Sequence, residues 1–487
     1  MKRTLPLIIL FFTLILADCF AARKITLDDA IDITISKTAR GTMIQSNLEV
    51  AEQNYFARRI NFYLPEISIN GYLPTYNVNK SYGFFGGATE KRLNETRNLR
   101  FNSFIELNQS ILWTGGDITA TANLTASDDR YPNTDPEAVT SDFINEQTRE
   151  GYFTLSYKQP ILKPSDAKHE LNNTKDDFQI AELNRIDEAT SLKTEVVEAY
   201  LGLMQQDLKA SIEENKYESA SLKTAIDSMK YLDGVISEED WLISKSERLD
   251  SELNMFQAQT EANQMERSLR TLLEISRDEE IQLEEPVVTS NIPESDMGAM
   301  LTNWEGSVPV KKAEIEYRKA ERSARYKESG HGLTGDLEAN YSTGQGTVET
   351  EGVDEDINTK GWEIALNFSF PIWDGGSSGA DIKAAKIEAE QARLELDEQK
   401  RSAEVEIMNL INQINVSYRR LEIVDKQIDL ARTRLDIAES RFDDGQISDI
   451  QLIERRVAYL EAKDNYLEEL KEYLLNRFNL EGKFSEI

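Results

Sequence analysis

Two stretches of this chain, residues 166–232 and 377–443, contain no proline and almost no glycine, and their composition favours helix throughout. At 1.5 Å per residue each predicts a helix roughly 100 Å long, about three times or more the length of an ordinary globular helix. Such a helix has no small core to bury its apolar side in, so it must pack along other helices. The second stretch shows how. Apolar or small residues fall at Ile407, Ile411, Ile414, Tyr418, Leu421, Val424, Ile428, Ala431, Leu435, Ala438 and Phe442, in steps of 4, 3, 4, 3, 3, 4, 3, 4, 3 and 4. The mean step of 3.5 is the heptad value, which predicts a left-handed, coiled-coil-like seam. Before it the stripe is lighter, with Ala385, Ala389, Ala392 and Leu396, so neighbouring helices can approach closely there.

Each long helix turns back into a shorter one, over Trp241–Ile275 and Ile453–Leu480. The two turns are nearly the same sequence. Lys230-Tyr231-Leu232-Asp233-Gly234-Val235-Ile236-Ser237-Glu238 and Arg441-Phe442-Asp443-Asp444-Gly445-Gln446-Ile447-Ser448-Asp449 share a base, an aromatic, Asp-Gly, Ile-Ser and an acid, at an offset of 211 residues. The same offset pairs Glu195 with Glu406, Val196 with Ile407, Leu203 with Ile414, Ala220 with Ala431 and Ile226 with Ile437. An ungapped match over that distance indicates a two-fold internal repeat. Gly234 and Gly445 suit the left-handed conformation that ends a helix. Ser237 and Ser448 suit the cap of the next helix, with acids in its first turn.

The N-terminus carries Lys2 and Arg3, an uncharged apolar run from Leu5 to Leu16, then Ala17 and Ala21-Ala22. This order reads as a secretory signal peptide over residues 1–21. A lipoprotein signal with Cys19 as the lipidated residue is the rival, and Asp18 just before it is unusual for such a signal. Cys19 is the only cysteine, so an exported chain here relies on packing or assembly instead of disulfides. The 87 Asp+Glu against 55 Lys+Arg disfavour nucleic acid as a partner. His169 and His331 lie far apart, each read as a surface residue near a strand–helix junction. No Cys/His cluster, phosphate loop or nucleophile elbow is present, so neither an enzyme nor a cofactor is expected. No apolar stretch of 18 residues follows the signal, so any membrane crossing must be by β-barrel.

Strand patterns lie between the helices. Ile118, Ala120, Ala122 and Leu124 alternate with threonines and asparagine, Phe153, Leu155 and Tyr157 with Thr154 and Ser156, and Ile364, Leu366 and Phe368 with Ala365 and Asn367. Six strands are expected, at 65–76, 100–112, 117–127, 150–159, 333–342 and 361–372. One apolar and one polar face suit a barrel wall between lipid and water. Tyr72, Trp113, Tyr152, Trp362 and Trp373 read as interfacial aromatics near strand ends. The segments 77–98, 127–150 and 342–360 read as long outward loops, and Trp113-Thr114-Gly115-Gly116-Asp117 as a tight turn. Six strands are too few to enclose a channel, so several chains must share one barrel. A soluble periplasmic coiled-coil adaptor or scaffold is the alternative.

At this point the chain resembles the TolC-like outer-membrane efflux proteins. The resemblance rests on Ile25-Thr26-Leu27-Asp28-Asp29-Ala30-Ile31, on Phe62-Tyr63-Leu64-Pro65-Glu66-Ile67-Ser68, on Phe368-Ser369-Phe370-Pro371-Ile372-Trp373-Asp374-Gly375-Gly376, and on Arg441 to Leu452 around Gly445. It implies an α+β membrane protein. Long helical hairpins would form a periplasmic α-barrel, and the strands would contribute to a shared transmembrane β-barrel. It implies a homotrimer in outer-membrane lipid, bound to a periplasmic adaptor (a membrane fusion protein) and through it to an inner-membrane pump. The chain would be the exit duct of a tripartite efflux pump or a type I secretion system. The organisation expected is a first repeat at 22–285 (strands about 65–159, hairpin 166–280), a linker at 286–297, and a second repeat at 298–487 (strands about 333–372, hairpin 377–480). The tips at 233–237 and 444–448 are the expected adaptor-docking sites, through Asp233, Gly234, Ile236, Ser237, Asp444, Gly445, Ile447 and Ser448. Acidic residues six and nine positions after the second tip glycine ring the aperture in the family prototype. Those positions are Gln451 and Glu454 here, with Asp240 the counterpart in the first hairpin. The prototype also has two strands per half, whereas this first half carries four. Three chains would then make 18 strands instead of 12, unless the extra hairpin lies outside the barrel wall.

Overall fold

The computed structural model describes residues 23–83, 92–132, 143–277, 279, 281–288 and 291–484. The signal peptide at 1–21, with Cys19, lies outside the described residues, as do parts of 77–98, 127–150 and 286–297. The chain forms two compact units. One comprises Met1–Glu49, Ile180–Glu314 and Glu395–Ile487, and the other Val50–Gln179 and Ile315–Leu394.

In chain order the elements are β1 (Arg23–Ile25), α1 (Leu27–Lys37), α2 (Ala39–Ile60), β2 (Glu66–Gly83), β3 (Arg92–Ser110), β4 (Asp117–Pro132) and β5 (Phe143–Pro160). They continue with α3 (Asp166–Leu232), α4 (Glu238–Leu272), β6 (Ile281–Leu283), α5 (Glu294–Thr302), α6 (Val308–Gly330), β7 (Thr334–Thr350), β8 (Val353–Ser369), α7 (Ser377–Asp443) and α8 (Asp449–Gly482). Helices α3 and α7 have 67 residues each, and both their first and last residues stand 211 apart. The duplication seen in the tips therefore spans the whole long helix.

Before the helices the spacing changes. β2 and β7 begin 268 residues apart, whereas β5 and β8 begin 210 apart. The difference is the β3–β4 hairpin, which is extra in the first half. It belongs to the sheet: the order is β2-β3-β4-β5-β7-β8, antiparallel throughout. The alternative of a hairpin outside the sheet is excluded.

The register sorts the two faces. One row across all six strands is Ile67, Leu107, Ala120, Leu155, Tyr341 and Trp362, and the next is Ser68, Glu106, Thr121, Thr154, Ser342 and Gly361. Because side chains alternate along a strand, the first row faces one way with its neighbours Ile69, Ile105, Phe153 and Ile364, and the second faces the other. The apolar face is open, with Ile67 64% and Trp362 77% exposed.

Two expectations need correction. Residues 342–360 are not a long loop. Strand β7 runs on to Thr350, β8 starts at Val353, and Glu351 (φ +53°) and Gly352 (φ +82°) make the two-residue turn. The described parts of 77–98 and 127–150 are likewise mostly strand. Polar composition suggested loop, but ladder hydrogen bonds join backbone groups and need no apolar side chains. For the same reason Tyr72, Tyr152 and Trp362 stand within strands and not at their ends. Tyr152 shares the polar face with Asn123 and gives its hydroxyl hydrogen to Glu150.

The other unit has one core. Ile25 of β1 and Leu27, Ala30 and Ile31 of α1 pack with Val196, Val197, Tyr200 and Leu203 of α3, Ile407, Ile414 and Leu421 of α7, and Leu467, Leu470 and Tyr473 of α8. The repeat partners Val196/Ile407 and Leu203/Ile414 are all buried. The counted α7 seam is the packed face, with Ile411, Tyr418 and Val424 set against the core. β1 and β6 pair in parallel, a contact with no local signal in the sequence. Tyr200 braces it: its hydroxyl lies 2.7 Å from Ile25 O and 2.6 Å from Glu284 O, and accepts the Glu284 N–H at 2.9 Å.

Candidate functional site

The predicted docking residues sit in two nearly identical helix–turn–helix tips. At the end of α3 the Val235 N–H reaches Lys230 O at 2.8 Å and the Gly234 N–H reaches Tyr231 O at 3.0 Å. At the end of α7 the Gln446 N–H reaches Arg441 O at 2.8 Å and the Gly445 N–H reaches Phe442 O at 2.8 Å. This pair of crossed bonds, with φ of +71° at Gly234 and +69° at Gly445, is the Schellman closure that satisfies the last carbonyls of a helix. Among the described residues, chain neighbours aside, no heavy atom lies within 4 Å of where a Cβ would stand on either glycine. The turns thus need glycine for its backbone conformation and leave open space around it.

Ser237 and Ser448 start α4 and α8, each in a capping box. The Ser237 hydroxyl accepts the Asp240 N–H at 3.1 Å, and Asp240 Oδ2 accepts the Ser237 N–H at 3.3 Å. The Ser448 hydroxyl accepts the Gln451 N–H at 3.4 Å, and Gln451 Oε1 accepts the Ser448 N–H at 3.1 Å. Asp240 and Gln451 are therefore the same position of the two repeats, and both have a local task. Either side chain can accept a backbone N–H, which explains how glutamine can replace an acid there. Glu454 differs. It is exposed, among the described residues it has no ion pair within its own chain, and its neighbour Ile453 is buried as the helical spacing required.

One tip feature escaped the sequence reading. Tyr231 and Trp241 stack across the first turn at 5.3 Å and 3°, and Lys245 Nζ lies 5.6 Å from the Trp241 ring. The second tip has Phe442 and Leu452 at the matching positions. The signal was the pair of bulky residues ten apart on either side of each turn. Around the first tip Met229, Leu232, Val235 and Ile243 are exposed, an apolar surface at the end of a charged hairpin.

The histidines lie elsewhere. His169 is not a surface residue: it is half-buried at the start of α3, stacked on Tyr326 at 4.1 Å, and burial beside Arg322 lowers its pKa.

Residues 305–482 match the family described as outer membrane efflux protein. No curated protein matches the sequence significantly. Among solved structures, the outer-membrane channel CmeC of Campylobacter jejuni superposes with a TM-score of 0.58 at 13% identity, over 94% of this chain and 85% of that one. The open state of the MtrE outer-membrane channel of Neisseria gonorrhoeae gives 0.57 at 14% identity, over 94% and 88%. The outer-membrane protein VceC of Vibrio cholerae gives 0.56 at 12% identity, over 93% and 94%. At these identities the structures speak to the fold, and the efflux-protein domain speaks to the family. Residues 305–482 are therefore similar to the outer membrane efflux protein family, and the chain has the fold of these outer-membrane channels.

Proposed function

We propose that three copies of the chain form one exit duct for a tripartite efflux pump or a type I secretion system, with a shared β-barrel and a periplasmic helical tunnel. The observation that carries this reading is the open sheet. Strands β2 and β8 are its edges, so among the described residues each has one side unpaired, along 18 and 17 residues. Exposed edges invite pairing with another chain, and a lipid-facing sheet must close completely. Six strands per copy give 18 in a trimer, within the range that leaves an aqueous channel.

A second surface on the helices supports assembly. Opposite its packed seam, α7 leaves Met408, Val416, Ile423, Leu430 and Ile437 exposed at steps of 8, 7, 7 and 7. Helix α4 leaves Leu242, Leu249, Leu253 and Phe256 exposed at heptad-like spacing. These stripes are suited to another copy. The hairpin tips are the docking sites for a periplasmic adaptor that links the duct to an inner-membrane pump, and three copies of Glu454 ring the aperture. The duct is passive, with energy supplied by the pump.

Cross-linking in native outer membranes, followed by native mass spectrometry, tests the assembly. A trimer mass is expected, and a stable monomer as the main species would overturn the reading. Planar-bilayer recordings of the purified protein should show channels.

A further inference from the structure

A cavity of about 380 Å³ lies where β5 passes into α3, beneath the turn between β3 and β4 and against the end of α6. Its lining includes Lys168, His169, Arg322 and Arg325, with Ser165 and Trp113 at its border, and no Asp or Glu. In a chain of net charge −32 that is an unusual patch. The charges around it do not cancel. Asp176, buried, is shared by Arg318 and Arg322. Asp166 is shared by Lys163 and the Tyr326 hydroxyl, and Glu321 pairs with the exposed Arg325. Lys168 has no ion pair among the described residues. The lining thus carries three cations, Lys168, Arg322 and Arg325, and no carboxylate; Asp176 and Glu321 pair with two of them from outside it, and Glu170, near His169, is paired with Arg58.

The site is also built. Arg322 is held from behind by Asp176 and by Asn173 Oδ1 at 2.9 Å, so its guanidinium is oriented before any ligand arrives. Asn173 also meets His169 Nε2 at 3.1 Å. The turn above is fixed by Gln159, whose Nε2 donates to Thr114 O at 2.8 Å. Gly115 sits so close to Ser165 that a Cβ would stand 2.5 Å from its side chain. Oriented guanidinium and ammonium groups around a small cavity are the chemistry that recognises phosphate.

Its place in the sheet unit says which phosphate. Trp113 is 89% exposed, and exposed apolar residues mark the same ends of the neighbouring strands: Ile161 after β5, Leu333 before β7, and Ile372 and Trp373 after β8. Aromatics at such a level sit among lipid headgroups, and basic pockets there bind them. We propose that this cavity holds the phosphate of a glycerophospholipid from the periplasmic leaflet of the outer membrane. Lys168 and Arg325 reach the phosphate, Arg322 is fixed behind them, and Trp113 lies along the glycerol and upper chain. The lipid would wedge the extra β3–β4 hairpin against the start of α3, where no helix of its own supports it.

The test uses the full-length channel, purified in neutral detergent and stripped of lipid. Its thermal midpoint is followed with short-chain phosphatidylglycerol, with the matching diacylglycerol, or with inorganic phosphate at equal concentration. Phosphatidylglycerol alone should raise the midpoint. Lys168→Ala combined with Arg325→Ala should weaken its half-saturating concentration by about tenfold or more. The lipid-free midpoint should not change, since both residues are exposed. Lys168→Arg should retain the response. An equal response to inorganic phosphate would mean a free-anion site, an equal response to diacylglycerol would mean only an apolar belt, and unchanged affinity in the double variant would mean the lipid binds elsewhere. Each of these overturns the proposal. Channel conductance, recorded on the same samples, reports separately on the duct itself.

Discussion

At the scale of single residues, two side chains carry distinct consequences. Glu454 lies one position past buried Ile453, about 100° around the helix. Three-fold symmetry would set three such carboxylates around a narrow opening, where like charges draw in cations. Glu454→Gln should lower cation preference in planar bilayers and weaken block by multivalent cations from the periplasmic side. Unchanged selectivity and block would put this carboxylate outside the conduction path. Tyr200 is a matter of folding. Its hydroxyl joins β1 to the residue after β6, and burial pushes its pKa up to about 12. Tyr200→Phe removes these bonds while the Glu284 N–H keeps Ile25 O at 3.2 Å, and should cost about 0.5–1.5 kcal/mol. The neutral phenol is the form the fold holds. The stabilisation is therefore complete below the ordinary tyrosine pKa of about 10 and falls as pH rises toward 12. Unfolding of the wild type and Tyr200→Phe should converge over that window, and a gap that stays constant would count against the brace.

At the scale of elements, the tips are closed by a Schellman turn on one side and a capping box on the other, twice over. This redundancy means that the turn forms from local bonds alone. Gly445→Arg forces a side chain into the left-handed region, at about 1–2 kcal/mol, but its Cβ stands in open space. Trimers should still insert, while transport is lost because the added bulk stands where a partner docks. Gly445→Ala carries the same backbone strain without the bulk and should keep transport. Accumulation of a fluorescent export substrate, read beside heat-modifiable trimer bands, separates the two. If Gly445→Arg transports normally at normal expression, the tip does not dock.

For the whole molecule, the proposed assembly depends on surfaces that one chain leaves open. The second stripe of α7 offers a direct check. Ile423→Glu with Leu430→Glu puts charge on exposed positions and spares the packed seam through Leu421 and Val424. The monomer should therefore keep its helical circular dichroism, while the trimer fails to form on native gels. A trimer of wild-type stability would show that this stripe faces water and not a second copy.

The long helices, their seam, the tips and the internal repeat were legible because each rests on local spacing: heptad steps, Asp-Gly at a helix end, and Ser three residues before Asp240 or Gln451. The alternating faces of the six strands were legible for the same reason. Strand lengths were not, since polar ladder segments such as 343–350 resemble loop when read by composition, and hydrogen bonds between chains of residues far apart in sequence leave no local mark. Nor could spacing show that β1 pairs with β6. The basic cavity also required the tertiary structure. Lys168 and Arg325 are 157 residues apart in the sequence. They come together only because α3 and α6 lie side by side, joined by Asp176 with Arg318 and Arg322. Periodicity determines which face of an element is apolar, and packing alone decides which distant charges share a site.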